Sequence, residues 1–253
     1  MSWNELSVLA VIPARGGSKG IPRKNLRRVG PLSLIAWAAQ TVGQLPWIDQ
    51  AVLSTDDSEM AEEGRNHGLE VPFIRPSDLS TDTAPAVKMW RHAWLESEKT
   101  FGQRYDLSVL LQPTTPLRQA IDVERTVAAM VDGGHDAAAT VSPIPGHFSP
   151  QKTLTINDRG VLGFFDPDGA KYTSRQMLEG YYYRNGVCYA ATRASVVDRS
   201  NIVEEDCVAV VVSEYVINID EPIELEIAAM LYAKADHDQP KRSDEDLQKT
   251  IGP

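Results

Sequence analysis

Hydrophobic positions in this chain fall into short continuous runs, separated by longer stretches in which apolar residues recur every three or four places. The run Val8-Leu9-Ala10-Val11-Ile12 has the uninterrupted apolar character of a strand buried on both faces. Residues 51–54, 71–74, 106–111 and 137–141 read as further strands. Between them, Leu32, Ile35, Ala36, Ala39 and Val42 predict a helix over residues 31–43, with Pro31 suited to its first turn. Residues 58–67 predict a second helix, stopped by Gly68. A third carries Val87, Trp90 and Trp94 on one face, with Pro85 in its first turn and Asp82 or Thr83 as its cap. Residues 121–131 form a fourth, closed by Gly133-Gly134, and residues 221–234 a terminal one with Pro222 near its start.

This alternation predicts an α/β fold: a doubly wound, mostly parallel sheet with right-handed crossovers. The rhythm breaks at residues 143–184, where Pro143, Pro145, Gly146, Asp158-Arg159-Gly160 and Asp166-Pro167-Asp168-Gly169 mark an irregular insertion. A β-hairpin is expected there around residues 154–165, and residues 185–191 rejoin the core. With 253 residues and no Pro/Ser/Gly-rich linker, the chain reads as one domain over residues 1–235. Residues 236–253, with Asp238, Asp244, Glu245 and Asp246, read as a flexible acidic tail.

A net charge of -10 argues against a nucleic-acid binder, and no apolar stretch reaches membrane-spanning length. The first twelve residues lack the pattern of a signal peptide, so a cytoplasmic location is expected. Cys188 and Cys207, without metal-ligand spacing and in apolar surroundings, read as reduced core residues.

One cluster of positive charge stands out against the acidic background. Directly after the first apolar run comes Pro13-Ala14-Arg15-Gly16-Gly17-Ser18-Lys19-Gly20-Ile21-Pro22-Arg23-Lys24-Asn25. Glycines there let a backbone approach a ligand, and Arg15, Lys19, Arg23, Lys24, Arg27 and Arg28 supply charge suited to a triphosphate. The spacing is neither G-x-x-x-x-G-K-[ST] nor G-x-G-x-x-G, which disfavours a P-loop kinase and a dinucleotide-dependent oxidoreductase.

Together with Leu111-Gln112-Pro113-Thr114-Thr115-Pro116-Leu117-Arg118 and Arg184-Asn185-Gly186-Val187-Cys188-Tyr189, this loop resembles the acylneuraminate cytidylyltransferase family, over about residues 7–233. The resemblance implies transfer of CMP from CTP to the anomeric hydroxyl of an acidic 2-keto sugar, with release of pyrophosphate. It implies Arg15 and Lys24 as catalytic groups, Gly16, Ser18, Asn25 and Arg75 at the nucleotide, and Gln112, Lys152, Arg175, Gln176 and Asn185 at the sugar. It also implies a homodimer in which the insertion of one protomer closes over its neighbour's active site. Tyr183 stands where the family often has arginine.

Members of that family usually carry Asp-Ile-Asp before the last helix as a magnesium site; this chain reads Asn218-Ile219-Asp220. Alternation along an extended segment puts Asn218 and Asp220 on one side, where an amide oxygen and a carboxylate can ligate Mg2+ with less charge than two carboxylates. The alternative reading is that Asp220 only caps the terminal helix. The missing charge motivates a second reading, a catalytically weak nucleotide-binding regulator, and a third is nucleotide transfer to another acceptor. None of the five histidines sits in a motif, so no general base is assigned.

Overall fold

The computed structural model describes residue 3 and residues 6–202 and 206–238. The acidic tail expected over residues 236–253 lies outside them from residue 239 onward. In chain order the elements are β1 (Val8–Pro13), β2 (Arg28–Val29), β3 (Leu32–Ser33), α1 (Leu34–Gly43), β4 (Gln50–Ser54), α2 (Ser58–Asn66) and α3 (Ala86–Phe101). There follow β5 (Leu107–Leu110), α4 (Ala120–Gly133), β6 (Ala137–Pro143), β7 (Leu154–Ile156), β8 (Leu162–Phe164), β9 (Tyr182–Thr192), β10 (Cys207–Val211) and α5 (Pro222–Asp238).

Six strands form the central sheet in the order β10-β6-β9-β5-β1-β4. All neighbours run parallel except β9, which is antiparallel to both β5 and β6. Strand β1 shows why its sequence is apolar without interruption: Val8, Ala10 and Ile12 pack with α1 and α4 on one face, while Leu9 and Val11 pack with α3 on the other. Trp90 and Trp94 of α3 are wholly buried core residues, and Trp90 Nε1 donates to Ser108 Oγ at 2.9 Å. Both cysteines are free, and burial pushes the Cys188 thiol up to about 12, which suits an inert core residue.

Three local expectations are corrected. Residues 71–74 form no strand; Pro72 within them lacks a donor, and the bridge to β4 falls on the preceding residue, Val52 to Glu70. Pro31 lies in the turn between β2 and β3, and α1 is capped instead by Ser33, whose Oγ accepts from Ala36 N at 3.0 Å. Pro85 precedes α3 as its cap residue, and neither Asp82 nor Thr83 caps the helix. The insertion carries the expected hairpin, β7 paired with β8, and leaves Phe148, Ile156, Leu162 and Phe165 exposed.

Candidate active site

Three segments meet at the carboxyl edge of the parallel strands, where open α/β sheets place their ligands. They are the loop after β1, the loop after β5, and the extended run leading into α5, joined by Arg75 from the stretch between α2 and α3. Together they enclose a cavity of about 570 Å³ whose walls include Arg15, Ser18, Lys19, Lys24, Asn25, Arg75, Gln112, Asn218 and Asp220.

The glycine-rich loop is fixed by contacts on its outer side. Arg23 adopts a left-handed backbone (φ 57°) and its guanidinium binds Asp57 at 2.5 Å and also Glu59, clamping the loop to the start of α2. Asn25, 4 % exposed, donates from Nδ2 to the carbonyl of Arg15 at 3.2 Å and so braces the loop from beneath. Gly20 is required by packing: a Cβ there would lie 2.6 Å from the carbonyl oxygen of Asp220. Gly16 is not among the residues lining the cavity, and its N–H donates to Asp56 Oδ1 at 2.9 Å. Of the six cations predicted to surround a ligand, Arg15, Lys19 and Lys24 line the cavity. Arg27 and Arg28 instead donate to the carbonyls of Pro22 and Pro31.

The cleft cations differ sharply in how they are neutralised. Arg15 Nη2 lies 2.6 Å and Lys19 Nζ 2.5 Å from the carboxylate of Asp82. Lys24 Nζ donates to Asp220 Oδ1 at 2.7 Å and to the carbonyl of Ile219 at 2.9 Å. Arg75 is 5 % exposed, and its Nε and Nη2 have no partner among the described residues. Burial pushes its guanidinium below the usual arginine value, with Asp56 acting in the opposite sense. A buried, unpartnered guanidinium is costly unless an anion completes its hydrogen bonds.

The Gln112 loop is held by Arg118, which donates to the carbonyls of Gln112, Gly186 and Val187. Burial pushes Arg118 down to about 10. Gly186 has φ +76°, and a Cβ there would meet Gln112 Oε1 at 2.6 Å, so the Asn185-Gly186 motif makes room for Gln112. Asn185 itself is not brought to the cleft. It is 1 % exposed; its Oδ1 accepts from Thr140 Oγ1 (2.6 Å) and Val187 N (3.1 Å), and its Nδ2 donates to Ser142 Oγ (3.0 Å). That network secures the irregularity where the β6–β9 register shifts between Ala139 and Val141. Lys152 lines a separate hollow in the insertion and Gln176 lies in a short 3-10 turn of the same insertion, so neither lines the cleft within one chain; Arg175 belongs to that same turn.

At the opposite wall, Ile217 and Ile219 are buried while Asn218 and Asp220 turn toward the cleft. Asn218 Nδ2 donates to Asp220 Oδ2 at 3.3 Å, and the buried Oδ1 of Asn218 has no partner among the described residues. An orphaned amide oxygen beside a carboxylate fits a hard divalent cation whose other ligands are phosphate oxygens or water. Among the described residues no group of three Asp, Glu, His or Cys side chains is placed to hold a metal. The α5 N-terminus is served by Glu224, whose Oε2 accepts from Asp220 N (2.6 Å) and Glu221 N (2.8 Å), so the Asp220 carboxylate is not spent on capping.

Sequence reading did not single out Asp82 as a cleft residue, because its two partners lie more than sixty positions earlier and only the fold joins them. No helix among the described residues is long and apolar enough to cross a membrane.

A sequence profile described as cytidylyltransferase matches residues 9–229. A CMP-N,N'-diacetyllegionaminic acid synthase of Legionella pneumophila is 30% identical over 230 residues, covering 87% of this chain and 93% of that protein. A pseudaminic acid cytidylyltransferase of Campylobacter jejuni is 27% identical over 230 residues, covering 91% and 97%. Among solved structures, a CMP:2-keto-3-deoxy-manno-octonic acid synthetase complexed with CTP superposes with a TM-score of 0.68 at 19% identity, covering 90% of this chain and 99% of that one.

Proposed function

The chain belongs to the cytidylyltransferase family, and from that premise we propose that it transfers CMP from CTP to the anomeric hydroxyl of a sialic acid-like 2-keto sugar acid. The observation that carries this reading is Arg75: a buried guanidinium whose Nε and Nη2 lack a hydrogen-bond partner among the described residues, at a cleft shared with Arg15, Lys19 and Lys24, suits a polyphosphate that completes its hydrogen bonds. The relatives act, by name, on legionaminic and pseudaminic acids, which supports an acidic nine-carbon acceptor.

In the transfer, the anomeric hydroxyl oxygen bonds to the α-phosphorus and gives up its proton to solvent, the bond from the α-phosphorus to the bridging oxygen of the β-phosphate breaks, and pyrophosphate leaves with that electron pair. Arg15 and Lys24 stabilise the charge growing on the leaving group, and Gln112 orients the sugar. Asn218 and Asp220 would hold Mg2+, which supplies charge neutralisation at the phosphates. The test is pyrophosphate release with four nucleoside triphosphates against sialic, legionaminic, pseudaminic and deoxyoctulosonic acids. Turnover restricted to CTP with one of these acids is expected. Tight CTP binding without turnover on any of them would favour a regulatory relative, and activity with another triphosphate would favour a different acceptor.

We further propose a cytoplasmic homodimer, in which the insertion of one protomer brings Lys152, Arg175 and Gln176 toward its neighbour's cleft. The exposed apolar side chains Ile156 (72 %), Leu162 (63 %) and Phe165 (65 %) support an interface on the hairpin, since an isolated monomer rarely exposes such a group together. Sedimentation is expected to give a dimer, and the double variant Ile156→Asp, Leu162→Asp a monomer with turnover reduced at least tenfold. A wild-type monomer with full activity would refute the arrangement.

A further inference from the structure

Three of the four cations in the cleft already have a carboxylate, and the two that share one differ from the third. Lys24 is paired with Asp220 on the wall assigned above to the metal, whereas Asp82 stands on an exposed loop ahead of α3. Its two oxygens are divided between two cations, Oδ1 on Arg15 and Oδ2 on Lys19. Nothing in the local fold needs this carboxylate, since α3 begins without a side-chain cap. The pairs are also solvated, with the side chains of Lys19 and Asp82 84% and 37% exposed. Solvated ion pairs are individually weak, so a ligand carrying several negative charges can displace them.

We propose that Asp82 is a resident counter-ion that competes with the polyphosphate for Arg15 and Lys19, and so sets how weakly the cleft holds pyrophosphate after transfer. The inference rests on the reading of the cleft as a triphosphate site and adds to it a determinant of product release. In the empty protein Asp82 neutralises the two cations. Arriving CTP exchanges its β- and γ-phosphates for that carboxylate, and base and ribose contacts made elsewhere help to drive the exchange. Once the α–β bond is broken, pyrophosphate keeps only the phosphate contacts. Asp82 then competes on better terms, because its effective concentration is fixed by the loop while the product is dilute. Arg75, which has no such rival, holds part of the ligand throughout.

The test is product inhibition. Asp82→Asn removes the charge and keeps the size, and is expected to lower the inhibition constant of pyrophosphate about tenfold and to lower the dissociation constant of CTP by a similar factor. CMP, which lacks the β- and γ-phosphates, is expected to bind with unchanged affinity, a result that a general gain of positive potential would not give. Asp82→Glu retains the charge and is expected to behave as wild type. Should Asp82→Asn fold poorly, Asp82→Ser must give the same tightening. Pyrophosphate inhibition that is unchanged or weaker in a folded, charge-neutral variant would overturn the proposal while leaving the triphosphate reading intact. Wild-type protein that binds neither CTP nor pyrophosphate in calorimetry would remove that reading itself, and this inference with it.

Discussion

Replacing Lys24 with alanine is expected to lower turnover with CTP on the order of a hundredfold or more, because removing one donor aimed at developing charge costs roughly 3 to 4 kcal/mol. The effect has two parts. Lys24 Nζ is lost from the cleft wall, and Asp220 Oδ1, which accepts from it at 2.7 Å, loses the partner that positions this carboxylate on the wall assigned to the metal. Arg15→Ala loses a donor of the same kind, and there the released carboxylate is Asp82, which keeps Lys19 as a partner. Lys24→Ala should therefore be the more damaging of the two. Stability is a separate matter: Asp220 is 64% exposed and solvent can replace its partner, so thermal unfolding of either variant should stay near wild type. Steady-state kinetics with unfolding curves on the same preparations checks this. Near-normal kcat/KM in both variants would remove the leaving-group role.

The strands that carry the cleft were legible because burial on both faces demands uninterrupted apolar runs, as in Val8–Ile12 with its two faces divided between two helix layers. The loop after β1 was legible for the same reason, its glycines and cations following directly on such a run. What the sequence concealed depends on contacts between distant segments. The antiparallel direction of β9 follows from where the long insertion returns, and no local pattern encodes that. Residues 71–74 have strand-like composition, yet Pro72 denies the segment a regular ladder, and the bridge to β4 is made by Glu70 just before it. Asn185, expected at the sugar, turns its side chain into the sheet. A polar residue on a strand can face either a ligand or a register shift, and here Thr140, Val187 and Ser142 satisfy it completely inside the sheet. Lys152, Arg175 and Gln176 lie on an insertion whose apolar face has no cover in one chain, so their bearing on the site rests on the proposed dimer.

Asp220→Ala is expected to abolish magnesium-dependent turnover, whereas Asn218→Asp should be tolerated and should lower the magnesium concentration needed for half-maximal activity. The wall offers one carboxylate and one amide oxygen where two carboxylates would give more charge, and the amide oxygen of Asn218 is buried without a partner. Removing Asp220 leaves no protein carboxylate in this pair, so phosphate oxygens would have to hold the ion with only neutral help. Adding a carboxylate at position 218 strengthens the attraction to a divalent cation. It also places two like charges side by side, because Asn218 Nδ2 now donates to Asp220 Oδ2 at 3.3 Å. Without the metal, Asn218→Asp should therefore be slightly less stable than wild type, and added magnesium should raise its unfolding temperature more than it raises that of wild type. A role for Asp220 in capping α5 would predict a stability loss of about 1 kcal/mol and an unchanged magnesium dependence. The backbone donors of Asp220 and Glu221 are satisfied by Glu224, so that loss is not expected. Activity against magnesium concentration for both variants decides the matter: an Asp220→Ala curve that coincides with wild type would refute the metal role.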